Sequence, residues 1–193
     1  MNLTEMRTRV REDLQDEDEA NYRWSNDEVD GAIQRVVREF SLAYPLMEST
    51  DIATTDGSNE LDISSLSGLI AIMRVEFPIG EDPACYQRVE LWKTTLYMQD
   101  KGNGDDARVR WYKEHTLGTS STIPAQLEEI IVLGATGYLA ASASAYTVDR
   151  ASIAGTGATI NFLKWGQERL ELYQKKLKAL QGRIITREFY TDA

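Results

Sequence analysis

One cysteine, one histidine and four prolines in 193 residues narrow the chemistry of this chain before any pattern is read. A single Cys85 excludes an internal disulfide and a cysteine-rich metal site. With His115 as the only histidine, a transition-metal centre would have to be built on carboxylates, so no metal and no cofactor is expected. Basic charge is also scarce, with 21 Lys and Arg against 31 Asp and Glu and a net charge of −10. Leu, Ile, Val and Phe together make up about 23% of the chain, enough for a modest core. The opening Met1-Asn2-Leu3-Thr4-Glu5 lacks the basic and apolar blocks of a secretory signal, so none is expected. Residues 130–148 form one long uncharged run, but it contains Gly, Ser, Thr and Tyr and follows Glu128-Glu129. It reads as a buried core helix rather than a membrane span.

The first 45 residues carry explicit helix signals. Leu3, Met6, Val10 and Leu14 make one apolar stripe, which predicts a helix from Thr4 to about Asp16. Ser25 and Glu28 form a capping box before a second helix over 26–44, with Trp24 and Val29 at the positions of a hydrophobic staple. That helix should bury Val29, Ile33, Val36, Val37 and Phe40 and stop at Pro45.

From residue 46 the period changes to two. Asp56-Gly57 between Ile52-Ala53-Thr54 and Glu60-Leu61-Asp62-Ile63 predicts a hairpin. Over 70–77, Ala71, Met73, Val75 and Phe77 should share one face, with Arg74 and Glu76 on the other. Further strands are expected at 86–92, 95–99 and 107–113, the last two joined through 101–106. Helix character returns at Pro124, and Gly134, Gly137, Ala141 and Ala145 form a stripe suited to close helix packing. A fourth helix is expected over 158–180, with Lys175, Lys176 and Lys178 near its end and Gly182 as its cap. The expected fold is α+β and mainly helical. It has a four-helix bundle-like core, a small antiparallel sheet inserted between the second and third helices, and an extended C-terminal tail. As a single domain its parts are 1–45, 46–122, 123–182 and 183–193.

No residue group reads as catalytic. His115 ends a predicted strand before a Thr/Ser/Gly loop and reads as a surface or capping residue; Cys85 reads as packed. Asp16-Glu17-Asp18-Glu19 lacks the glycine and distal glutamate of a calcium loop and reads as solvated. Ala154-Gly155-Thr156-Gly157-Ala158 lacks both a preceding strand and the remaining residues of a nucleotide fingerprint. Arg7, Arg9 and Arg11 are interleaved with Glu5, Glu12 and Asp13, which breaks any phosphate-reading stripe. Trp92, Tyr97, Trp111 and Tyr112 are expected to cluster in the sheet, as cross-strand pairs rather than as a binding face. Residues 1–30 hold four Arg against ten acids, whereas residues from 158 onward hold seven Lys or Arg against four. Such a polarity suits head-to-tail packing of copies, although solvated helix faces produce it too.

The run Leu3-Thr4-Glu5-Met6-Arg7-Thr8-Arg9-Val10-Arg11-Glu12, then Tyr22-Arg23-Trp24-Ser25-Asn26-Asp27-Glu28-Val29-Asp30 and Ala32-Ile33 through Glu39-Phe40, resembles the start of tailed-bacteriophage head–tail adaptor proteins. The β excursion followed by Ile123-Pro124-Ala125-Gln126-Leu127-Glu128 is similar to that group as well. The resemblance implies a non-enzymatic virion protein of the neck, assembled in the host cytoplasm. It would form a ring, usually a dodecamer, that binds the portal and carries a stopper or tail protein. Genomic DNA would pass through its channel without sequence-specific binding, and no membrane would be involved. Within this reading the apolar tail is expected to dock on the portal through Arg183, Ile184, Ile185, Arg187, Phe189 and Tyr190, by strand addition. Two alternatives stay open at this point: another neck component, such as a stopper or tail-completion protein, and a non-virion monomeric or dimeric binding protein.

Overall fold

The computed structural model describes residues 1–148 and 156–188, with side-chain surroundings for 1–143 and 162–181. It divides into two compact units, one of Met1–Tyr44 with the chain from His115 onward, the other of Pro45–Glu114. The helical and β parts expected from the sequence are both present, and the fold is α+β with four helices and two antiparallel sheets among the described residues.

In the helical unit, α1 (Leu3–Leu14) begins one residue before the expected Thr4 and ends two before the expected Asp16. Asn2 caps it: its side chain accepts from Glu5 N at 2.9 Å, and Glu5 returns the bond to Asn2 N at 2.9 Å. α2 (Asn26–Ala43) opens on the expected Ser25–Glu28 box, and the two bonds Ser25 donates hold the Glu28 carboxyl below its usual range. Trp24 and Val29 are both buried, as are Ile33, Val36, Val37 and Phe40. After a single 3-10 turn at Ala125–Leu127 come α3 (Glu128–Val148) and α4 (Thr156–Glu188).

The small residues of α3 are used inside the chain. A Cβ on Gly134 would lie 2.9 Å from Val36 Cγ1 and 3.0 Å from the Tyr173 ring; one on Gly137 would lie 2.9 Å from Leu170 Cγ. The core joins Met6, Val10, Leu14, Trp24, Phe40, Ile131 and Tyr173 across all four helices. Gly182 does not end α4. The backbone stays helical to Glu188, so residues 183–188 are not the extended tail the sequence suggested. Strand addition by that stretch loses its backbone basis.

The β unit departs from expectation in its pairing. β1 (Leu46–Ala53), β3 (Leu69–Glu76), β4 (Tyr86–Gln87) and β7 (Asp106–Lys113) form one sheet in the order β1-β7-β3-β4. β2 (Glu60–Asp62), β5 (Val89–Trp92) and β6 (Thr95–Met98) form a second, in the order β2-β6-β5. Asp56-Gly57 therefore closes no hairpin: it carries the chain from one sheet to the other, because β1 pairs with β7 and β2 with β6. The 101–106 segment crosses back the same way. The two loops are knitted together by Gly57 N to Gly102 O at 2.9 Å and Gly102 N to Ser58 O at 2.7 Å. Their approach leaves no room for a side chain at Gly102, where a Cβ would lie 2.6 Å from Thr54 Cβ.

The expected strand 86–92 is split between the two sheets. Gln87 spans the split: its side-chain amide donates to Phe77 O and to Asp100 Oδ2, each at 2.8 Å. β3 carries two irregularities, between Leu69 and Ala71 and between Ile72 and Arg74, that shift its register against β7. As a result Leu69 and Ile72 pack on the core in place of the expected Ala71 and Met73, and Ala71 is exposed, while Val75 and Phe77 are buried as expected. Glu76, expected on the face away from Val75, is nonetheless buried, beside Arg110 at 3.5 Å. The two sheets share one core made of Leu61, Ile63, Leu66, Val75, Phe77, Leu96, Met98, Ala107, Val109 and Trp111.

Candidate functional site

The residues that sequence chemistry singled out turn out to be structural supports. Arg11 lies in the interior between α1 and α2, stacked 3.5 Å over the Tyr22 ring centroid. Its guanidinium donates to Asp16 Oδ2 at 2.6 Å, Trp24 O at 2.9 Å and Asn26 Oδ1 at 3.0 Å. Asp16 also accepts from Arg23 N at 2.7 Å. The expected solvated acidic loop thus begins with a buried carboxylate that organises the α1–α2 connection. Asp18 spends its oxygens on Ala20 N and the Asn21 side chain, which lowers its pKa. Arg7 forms a fork with Asp30 at 2.8 and 2.6 Å. Arg9 pairs with Glu12, and Arg169 reaches Asp13.

His115 is not a surface residue. It is buried, 5.2 Å from the Phe40 ring centroid and stacked on Tyr44 at 6.3 Å. Its Nε2 lies 2.9 Å from Tyr44 O, and its Nδ1 lies 3.1 Å from both the carbonyl and the hydroxyl of Thr122. Donation from Nε2 to the Tyr44 carbonyl, with Nδ1 accepting from the Thr122 hydroxyl, satisfies the neutral ring. Burial accordingly holds the pKa of His115 below its ordinary value. Among the described residues the one side chain on its ring nitrogens is the Thr122 hydroxyl, which also accepts from Thr116 N at 2.9 Å.

Cys85 is half-buried, with its sulfur 3.9 Å from Gln87 Nε2. Among the described residues no group of three or more His, Cys, Asp or Glu side chains is placed to hold a metal ion. No helix among them is long and apolar enough to cross a membrane. The Gly-x-Gly begins outside the described residues at Gly155, and Thr156-Gly157 opens α4. Of the six tail residues, Arg183, Ile184, Ile185 and Arg187 lie on the helical backbone of α4, while Phe189 and Tyr190 lie outside the described residues.

The expected aromatic cluster does not form as one. Trp111 is buried in the four-stranded sheet, donating to Thr50 Oγ1 at 3.2 Å, and Tyr112 sits across from Met47 and Ala71 on that sheet's other side. Trp92 and Tyr97 belong instead to the three-stranded sheet. There the register makes two cross-strand rows on the face turned away from the core: Glu60–Tyr97–Glu90 and Asp62–Thr95–Trp92. Leu61, Leu96 and Leu91 make the row between them, on the opposite face.

Trp92 is 65% exposed, and the paired positions of the outward face hold three carboxylates and no base, with exposed Arg88 two residues before Glu90. The alternation in Glu60-Leu61-Asp62, Glu90-Leu91-Trp92 and Thr95-Leu96-Tyr97 carries this signal in the sequence. Only the register brings the three segments side by side. The outer face of the four-stranded sheet differs, since Arg108 bonds Asp51 at 2.8 and 2.9 Å and Arg110 pairs with Glu76.

The model of the family described as SU10 adaptor protein matches residues 1–144 of the 193, spanning α1, α2, both sheets and most of α3. The chain therefore belongs to the SU10 adaptor protein family, a family of phage head–tail adaptors. No curated protein matches it.

Proposed function

From this membership of the SU10 adaptor family we propose that the protein is a structural component of the virion neck. It assembles as a ring beneath the portal, extends the DNA channel and presents a platform to a stopper or tail protein. The family match over residues 1–144 is the observation that carries this reading. Two properties support it. The net charge of −10 makes a channel wall that repels the DNA backbone instead of gripping it, so that genome passage is not slowed. Among the described residues most of the exposed large apolar side chains, namely Met47, Tyr86, Leu91 and Trp92, sit on the β unit, where a partner can cover them. Assembly as a dodecamer, in the host cytoplasm, follows from the family resemblance.

The reading is tested by light scattering and electron microscopy on the purified full-length chain, with and without its cognate portal. Rings on the portal are expected; a chain that stays monomeric and ignores the portal overturns the reading in favour of a non-virion binding protein. Residues 183–193 are proposed to dock on the portal. Their deletion should abolish portal capture with the cooperative unfolding transition retained, and capture by the truncated chain would remove the tail from the interface.

A further inference from the structure

We propose that the outer face of the three-stranded sheet receives the lysine-bearing face of α4 from a second copy of this chain. The inference rests on the ring assembly above and names the contact that closes it. Its acidic half is the pair of rows Glu60–Tyr97–Glu90 and Asp62–Thr95–Trp92. Asp62 is committed to Ser64, through the backbone N at 2.9 Å and the hydroxyl at 3.0 Å. Glu60 and Glu90 have no ion-pair partner among the described residues. They flank Tyr97 from adjacent strands, about 10 Å apart across two strand spacings. Three bases of the same unit are matched, Arg108 with Asp51, Arg110 with Glu76 and Lys113 with Glu48, whereas Glu60 and Glu90 enter no such pair.

The complementary half lies on α4. Leu172, Lys175, Lys176 and Ala179 stand at i, i+3, i+4 and i+7, one face of a helix, and all four are exposed. Leu172 is 46% exposed, a large apolar side chain left without cover on its own chain. Elsewhere on α4, Lys164 pairs with Glu168 and Arg169 with Asp13, whereas Lys175 and Lys176 enter no ion pair among the described residues.

Laid together, Leu172 meets Trp92 at the centre while the two ammonium groups meet Glu60, Glu90 and the faces of Tyr97 and Trp92, where cation–π attraction adds to charge. A second copy fits better than a nucleic acid, which three carboxylates would repel. Because the two faces lie on different parts of one chain, the contact is heterologous and propagates from copy to copy, as a ring requires.

The test uses the full-length chain with its portal. Glu60→Lys with Glu90→Lys, and separately Lys175→Glu with Lys176→Glu, should each raise the concentration needed for ring assembly by about tenfold or more. The four changes together should restore assembly. In a Cys85→Ser background, Trp92→Cys combined with Leu172→Cys should give disulfide-linked ladders longer than dimers, which neither cysteine alone can give. This crosslink keeps the proposal open to refutation if a charge-reversed chain fails to fold. Rings that form unchanged from both reversed chains, and without the ladder, overturn the contact and leave the ring standing. A wild-type chain that forms no ring, alone or on the portal, overturns the assembly reading and this contact with it. Reversals that spare the ring and abolish portal capture would assign the face to the portal and overturn its assignment to a second copy.

Discussion

The two units answer the same problem, burying an apolar face, with different consequences for their surfaces. In the helical unit a continuous core runs from Met6 to Tyr173, and charged side chains are drawn into it with partners in place. Arg11 is met by Asp16 and two further acceptors, and at the edge of the core the Tyr138 hydroxyl donates to the half-buried Glu39 carboxylate at 2.9 Å while exposed Arg35 lies over its ring. In the β unit ten buried residues close a core between two short sheets, and the outward faces are left to display charge and aromatic surface. One unit spends its polar groups on internal order, where low dielectric makes each of them costly to disturb. The other buries Glu76 and Gln87 but keeps most of its charge at the surface, where substitution costs little stability and changes what the face can bind.

That contrast is open to test, beginning with the largest expected effect. Arg11→Met removes the partner of a buried carboxylate and strands Asp16, at a cost of about 3–5 kcal/mol in denaturant unfolding. A loss below about 1 kcal/mol would mean that Asp16 finds water, and that the node is less interior than its burial indicates.

Two glycine substitutions come next and compare the units directly. Gly134→Ala forces a Cβ against Val36 and the Tyr173 ring, whereas Gly102→Ala forces one to 2.7 Å from the Thr55 carbonyl oxygen as well as onto Thr54. Each should cost about 1–3 kcal/mol. Hydrogen exchange should accelerate within α2–α4 for the first and within the β1–β2 and β6–β7 connections for the second. Acceleration across both units from either change would show that they unfold as one.

His115 supplies a pH test of the helical unit. Its folded pKa lies below the ordinary value of 6.5, so the unfolded chain binds the proton first as pH falls. Stability contributed by the neutral ring is fully present above about pH 6.5 and is lost as pH drops toward the folded value. His115→Gln should flatten the stability slope in the window just below pH 6.5, read by urea unfolding at a series of pH values. A slope unchanged by the substitution would place its origin in carboxylates. The smallest effect is expected at Trp92→Ala, within about 0.5 kcal/mol of wild type in stability, because the side chain is mostly solvated. Assembly, not melting, is where that change should be felt.

Much of the helical unit is legible in residue order. Ser25 and Glu28 cap α2, the 3–4 spacing of Val29, Ile33, Val36 and Phe40 marks its buried side, and the glycines of α3 mark a close helix contact. These are local rules, satisfied within a turn or two of helix. Asn2, as a cap, follows the same rule and was legible in principle beside Glu5. The β unit was legible as strands but not as sheets. Asp56-Gly57 has the chemistry of a tight turn, yet the strand that pairs with β1 arrives more than fifty residues later. The irregularities in β3 moved the core face off the simple alternation, and β4 parted from β5 at Arg88. Gly182 could have ended α4, but glycine permits a helix stop without compelling one.

By itself the sequence determined where the helices begin, which of their faces are apolar, the change of period at residue 46, the acidity, and the family resemblance that the match over residues 1–144 bears out. These depend on spacing and composition, which contacts between near neighbours impose. The tertiary structure decided strand partners, the burial of Arg11, Asp16, Glu76 and His115, and the gathering of Glu60, Glu90, Trp92 and Tyr97 on one face. The reason is that pairing and burial are set by which distant segments exclude water together, a choice made among many alternatives that satisfy the local rules equally well.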